Sequence, residues 1–136
     1  MIEQKEITLP TYGRGFHIIT NEINKALNDL PENGLLNIYI MHTSAALTIN
    51  ESADSSVLTD FESFTKRLVP ENTSLYTHTL EGSDDMPAHI KTSLFGPSLT
   101  VPITDHKLNL GTWQGIWLCE FRNRSQRRKL VLTVYS

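Results

Sequence analysis

Imidazole is the side chain best suited to act as acid, base, metal ligand or anion contact near neutral pH, and this chain carries five histidines. His42 opens His42-Thr43-Ser44-Ala45-Ala46 at the end of an expected strand. That turn is small and hydroxyl-rich, so its N–H groups and the Thr43 and Ser44 hydroxyls could hold an oxyanion. The plainer alternative is a strand-end histidine satisfied by local hydrogen bonds. His89 falls in the first turn of an expected helix, four residues after Asp85 and two before Lys91. A helix start attracts anions and favours the neutral imidazole that binds metals; otherwise His89 is a surface histidine beside a helix-terminal acid. His78 stands in His78-x-x-Glu81-x-x-Asp84-Asp85-x-x-x-His89. Zinc or a similar divalent ion would accept that mixture of imidazoles and carboxylates, although the spacing is not that of a His-Glu-x-x-His helix. His17 and His106 have no such company and are left outside the site.

A second group is basic: Arg122, Arg124, Arg127, Arg128 and Lys129. Strand alternation sends Arg127 and Lys129 to one face and Arg128 to the other. Such a group can clamp a phosphate or simply solvate a hairpin end. Trp113 is flanked by Gly111, Thr112, Gln114 and Gly115, poor core fillers that suggest a tight backbone near a ligand or a subunit boundary. Cys119 lies in the apolar run Ile116-Trp117-Leu118-Cys119 and reads as core rather than nucleophile. The chain has no P-loop, Gly-x-Ser-x-Gly elbow or dinucleotide fingerprint.

The elements that must position these residues follow from periodicity. Ile2 to Leu9, Phe16 to Ile19, Leu35 to His42 and Ala46 to Asn50 read as strands, with Leu36, Ile38 and Ile40 on one face. Thr20 is placed to cap a helix running to Asp29, closed by Pro31-Glu32-Asn33-Gly34. Ser52 to Leu68 is the long helix, with Val57, Leu58, Phe61, Thr65 and Leu68 as its buried stripe and Asp54 in its first turn. Asp85 can cap the short helix that Gly96 ends. Ser98 to Ile103, Gly115 to Phe121 and Arg128 to Tyr135 are further strands, with turns at Thr104–Lys107 and Asn123–Gln126. The order is α+β: a mainly antiparallel, sandwich-like unit with two or three helices, as one domain over residues 1–136.

A net charge of −3 excludes a strongly basic nucleic-acid footprint over the whole molecule. No apolar stretch approaches the roughly 20 residues that span a bilayer, and the first residues do not resemble a signal peptide. A cytoplasmic protein without nucleic-acid or membrane partners is the expectation.

Three segments together, His42-Thr43-Ser44-Ala45-Ala46 with Asn50-Glu51, Pro87-Ala88-His89-Ile90-Lys91 through Gly96, and Leu110-Gly111-Thr112-Trp113-Gln114-Gly115-Ile116, resemble the YjbQ-like family, also labelled secondary thiamine-phosphate synthase. The likeness covers nearly the whole chain, with Gly-Thr-Trp-Gln its most specific mark. His42, His78 and His89 fall on recurrent histidines of the family, Glu51 and Asp54 on acidic positions, and Glu120 and Arg127 on an acid and a base. Ser83 stands where many members have asparagine. The resemblance implies a homotrimer and a site for a phosphorylated small molecule with a divalent metal, zinc or magnesium. His42, His78 and His89 would hold the metal or contact the phosphate directly. The catalytic set it suggests is His42, His89, Glu51 and Lys91, with Glu51 or Asp54 orienting histidines. Thr43, Ser44, Trp113 and Arg127 would bind the ligand. The activity implied is joining a pyrimidine pyrophosphate to a thiazole phosphate. A binding module without turnover and a metal-dependent hydrolase remain alternatives.

Overall fold

A computed structural model of the chain describes residues 1–124 and 126–136. In chain order its elements are β1 (Ile2–Thr8), β2 (Gly15–Ile18), α1 (Thr20–Ala26), β3 (Asn33–Ile40), β4 (Ala45–Glu51), α2 (Ser55–Leu68), α3 (Asp85–Phe95), β5 (Ser98–Thr104), β6 (Lys107–Leu108), β7 (Gln114–Glu120) and β8 (Lys129–Tyr135). The turn expected over Asn123–Gln126 includes Ser125, which lies outside the described residues.

Residues Gly115 to Phe121 are all buried, although a strand with one wet face would alternate. The reason is layering. β7 is the central strand of a three-stranded sheet, order β2-β7-β4, covered on both faces. One face turns Ile116 and Leu118 toward a five-stranded sheet, order β1-β8-β3-β5-β6. There they join Leu36, Ile38, Ile40, Leu130 and Leu132. The other face turns Trp117 and Cys119 toward α2 and α3, where Phe16, Phe61 and Phe95 close around them. The layers are therefore sheet, sheet, helices, an α+β arrangement with antiparallel pairing throughout the described sheets. Burial in this middle layer pushes the Cys119 thiol pKa far up, which suits a core residue and not a nucleophile.

Three local expectations shift. Thr20 does not cap α1; it lies inside the helix, and its Oγ1 accepts from the Ile116 N–H at 2.9 Å, satisfying a sheet group instead. Asp54 sits not in the first turn of α2 but at its N-cap, accepting from the Ser56 N–H at 2.9 Å. Leu68 is 58% exposed, while Val69 takes the buried place at the helix end. Among the described residues no helix is long and apolar enough to cross a membrane.

Candidate functional site

Asp85 and His89 are four residues apart on α3, so they share one helix face. The polar loop before the helix returns His78 to the same face. The His78 Nε2 lies 2.8 Å from Asp85 Oδ2, and the His89 Nε2 lies 3.2 Å from the same oxygen. The two imidazole rings are 5.4 Å apart between centroids. Asp85 is almost wholly buried, whereas the His78 and His89 side chains are 50% and 30% exposed. The three groups thus form a cup with a buried base and an open rim.

The His89 tautomer follows from its other nitrogen. Nδ1 lies 2.8 Å from the Thr43 carbonyl oxygen. A carbonyl only accepts, so Nδ1 donates, and the lone pair of a neutral ring sits on Nε2. That lone pair faces Asp85 Oδ2, itself an acceptor. A proton or a cation between them satisfies the pair. Metal-ligating histidines are commonly oriented by such a carbonyl on the other ring nitrogen. One ligand atom from each of His78, Asp85 and His89 lies within 4.8 Å of the others. A tetrahedral zinc with bonds of about 2.0–2.1 Å spaces its ligand atoms about 3.3 Å apart; the Asp85 pairs at 2.8 and 3.2 Å lie within a few tenths of an ångström of that spacing, so the donor set fits.

Two arginines brace the cup. The Arg122 Nε donates to Asp84 Oδ2 at 2.9 Å, one terminal nitrogen pairs with Asp85 Oδ1, and the other donates to the Glu81 carbonyl at 2.9 Å. Burial raises the Asp84 pKa, but bonds from the Asn123 N–H and Arg122 outweigh it and hold the carboxyl below the usual range. Asp84 occupies the N-cap position of α3 without capping it, because its carboxylate is used here; the cap expected of Asp85 is likewise absent. Arg128 is buried against Glu120, with bonds of 2.7 and 2.5 Å. It also donates to the Ser44 carbonyl and hydroxyl at 3.2 and 3.1 Å. Breaking such a buried pair leaves an uncompensated charge and costs about 3–5 kcal/mol.

Two of the three histidines expected as metal ligands, His78 and His89, come together, with Asp85 between them. His42 is engaged elsewhere: its Nε2 accepts from the Lys129 N–H at 2.8 Å. Burial and then Arg128 lower its pKa. Thr43 contributes its carbonyl to His89, and the Ser44 hydroxyl, expected to face an oxyanion, is committed to Arg128. Lys91 is buried away from the histidines, with Nζ 5.1 Å from the Phe121 ring centre. Its pKa is lowered by burial and then by Arg14. Arg127 is exposed, while Arg128 is the buried partner of Glu120.

Glu51, Asp54 and Trp113 lie toward the opposite end of the three-stranded sheet. Ala45 pairs with Glu120 at one end and Glu51 with Gln114 at the other; that separation is roughly 20 Å of strand. Within one chain these three therefore neither orient the histidines nor wall the cup, and Trp113 is 63% exposed. Asp85 had a sequence signal in the Asp-x-x-x-His spacing. Arg122 had none beyond its basic neighbours. Beside the cup runs a groove of about 540 Å³ lined by Glu81, Gly82, Asp84, Arg122, Asn123 and Arg124.

The family model described as UPF0047 protein YjbQ-like matches residues 5–136. The UPF0047 protein YjbQ of Salmonella typhimurium is 49% identical over 133 residues, covering 96% of each chain. A UPF0047 protein of Synechocystis is 40% identical over 132 residues, covering 96% of this chain and 90% of the relative. Among solved structures, a conserved hypothetical protein from Thermus thermophilus superposes with a TM-score of 0.82 at 32% identity, covering 93% of this chain and 97% of that one. A protein of the same family from Clostridium acetobutylicum gives 0.78 at 35% identity, covering 95% and 97%. On the match over residues 5–136 and these identities, the chain belongs to the YjbQ-like UPF0047 family.

Proposed function

We propose that this protein is a metal-dependent enzyme acting on a phosphorylated small molecule, with the divalent ion held by His78, Asp85 and His89. The observation that carries the reading is the pair of acceptors at 3.2 Å, His89 Nε2 and Asp85 Oδ2, with Nδ1 already tied to Thr43. Two imidazoles and one carboxylate oxygen favour zinc over magnesium, which prefers oxygen ligands. When bound, such an ion supplies Lewis acidity toward a phosphoryl oxygen or water. The chain's own part is to fix the ligands, through Thr43 and Arg122, and to leave the rim open on the His78 side. Arg124, on the neighbouring groove, offers a cation to a substrate phosphate. The family resemblance supports a homotrimer. An apolar groove between α2 and α3, lined by Phe61, Phe64, Leu68, Leu94 and Phe95, supports self-association.

The reaction to assay first is the one the resemblance implies, thiamine-phosphate formation, alongside phosphate release from phosphorylated precursors. Wild-type protein with added zinc or magnesium is expected to turn over one of these. His89→Ala is expected to lose at least about tenfold, or ~1.4 kcal/mol of transition-state stabilisation. Equal rates in the two proteins would overturn the enzymatic reading. Metal uptake without any turnover would favour a binding module.

A further inference from the structure

Within that metal reading, on which this rests, we infer that Arg122 is the residue that selects the cation: it restricts the site to zinc-like ions and turns away hard, oxygen-seeking ones. Arg122 holds Asp84 Oδ2 at 2.9 Å and Asp85 Oδ1 with the same guanidinium. The three side chains are nearly enclosed, with 17%, 10% and 2% exposure for Arg122, Asp84 and Asp85. The backbone N–H of Arg122 donates to Glu120 Oε2 at 3.2 Å, so the base of its side chain is anchored as well.

Two consequences follow for a cation in the cup. First, Asp85 presents only Oδ2 to the space between His78 and His89, because Oδ1 is taken. The carboxylate is limited to one oxygen, and Asp84 Oδ2 is held by Arg122 and the Asn123 N–H. Calcium and magnesium take six or more ligands, mostly oxygen, and two nitrogens with a single oxygen serve them poorly. Second, the guanidinium cancels much of the charge of the adjacent carboxylates. Hard ions depend on that charge, whereas binding to imidazole nitrogen follows ligand softness. Removing the guanidinium would free Asp85 Oδ1 and leave the Asp84 charge, still held by the Asn123 N–H, without its cation, adding one oxygen ligand and negative charge beside the cup.

The test is competition binding of zinc and of manganese to the wild-type chain and to Arg122→Met, read as the ratio of the two affinities. The ratio is used because most nitrogen and oxygen sites prefer zinc to manganese in any case. In the variant the preference for zinc is expected to narrow by at least about tenfold, the scale on which residues behind metal ligands act, through tighter manganese binding. A parallel loss for both ions, or an unmoved ratio, would show Arg122 to be structural only and overturn the inference. Wild-type protein that takes up neither ion would instead remove the metal reading beneath it. If Arg122→Met does not fold, Arg122→Lys decides. It keeps a cation but cannot fork between two carboxylates, so a narrowed ratio supports the inference and an unmoved one contradicts it.

Discussion

Asp85 and His89 show how one residue's role depends on what folds back against it. An aspartate just before a proline-bearing helix reads both as a cap and as one of three nearby carboxylates open to a cation, and the spacing did not say which carboxylate would meet the histidines; the loop that returns His78 to Asp85 has no periodicity to announce its path. His78 and His89 were legible by type and spacing, while His42 was legible by type alone. Its ring nitrogen is used by the Lys129 N–H, a contact between distant strands that no local pattern carries. Burial and Arg128 hold its pKa below the ordinary 6.5, and this has a measurable consequence. As pH falls through 6.5 the unfolded chain takes up a proton that folded His42 resists. Stability present above that pH is therefore lost below it, down to the depressed folded value. Urea denaturation at about pH 7.5 and about pH 5.5, either side of the imidazole range, is expected to show this loss in wild type. His42→Gln is expected to show a smaller one. The same acid loss in both proteins would remove His42 as its source.

Strands were easier to place than helix ends, for a physical reason. β3 and β8 bury alternate residues between the sheets, so Leu36, Ile38, Leu130 and Leu132 announce themselves by period. Helix starts depend on where a few polar atoms find partners. The Thr20 hydroxyl went to the sheet at Ile116, and the Asp84 carboxylate went to Arg122 and Asn123. The Gly111–Gly115 segment, read from sequence as tight against a ligand or subunit, is tight at Gly115 against its own fold. A Cβ built there would lie 2.7 Å from the Ser52 Cβ and 3.3 Å from Thr20 Oγ1. Gly115→Ala is therefore expected to cost about 1–3 kcal/mol in chemical denaturation, the range for forcing atoms into a filled core. Unchanged stability would mean that the β4–β7 end yields readily.

Over the whole molecule, the sheet–sheet–helix layering places the His78–Asp85–His89 cup at one end of the three-stranded sheet and Glu51, Asp54 and Trp113 toward the other. Element order gave the α+β class, but layer order came from β7 being covered twice, which its unbroken apolar run only hinted at. The exposed Phe64, Leu68 and Leu94 cover the helix layer with apolar surface, the kind of face a neighbouring chain would bury. The central claim, a metal cup of His78, Asp85 and His89 in each chain of an assembled protein, is most directly tested by native mass spectrometry. Zinc-loaded wild type would be measured beside the double variant His78→Ala/His89→Ala. The expected result is three chains carrying one zinc each for wild type, and three chains without zinc for the variant. Wild type that retains no zinc, or a variant that retains as much as wild type, would contradict it.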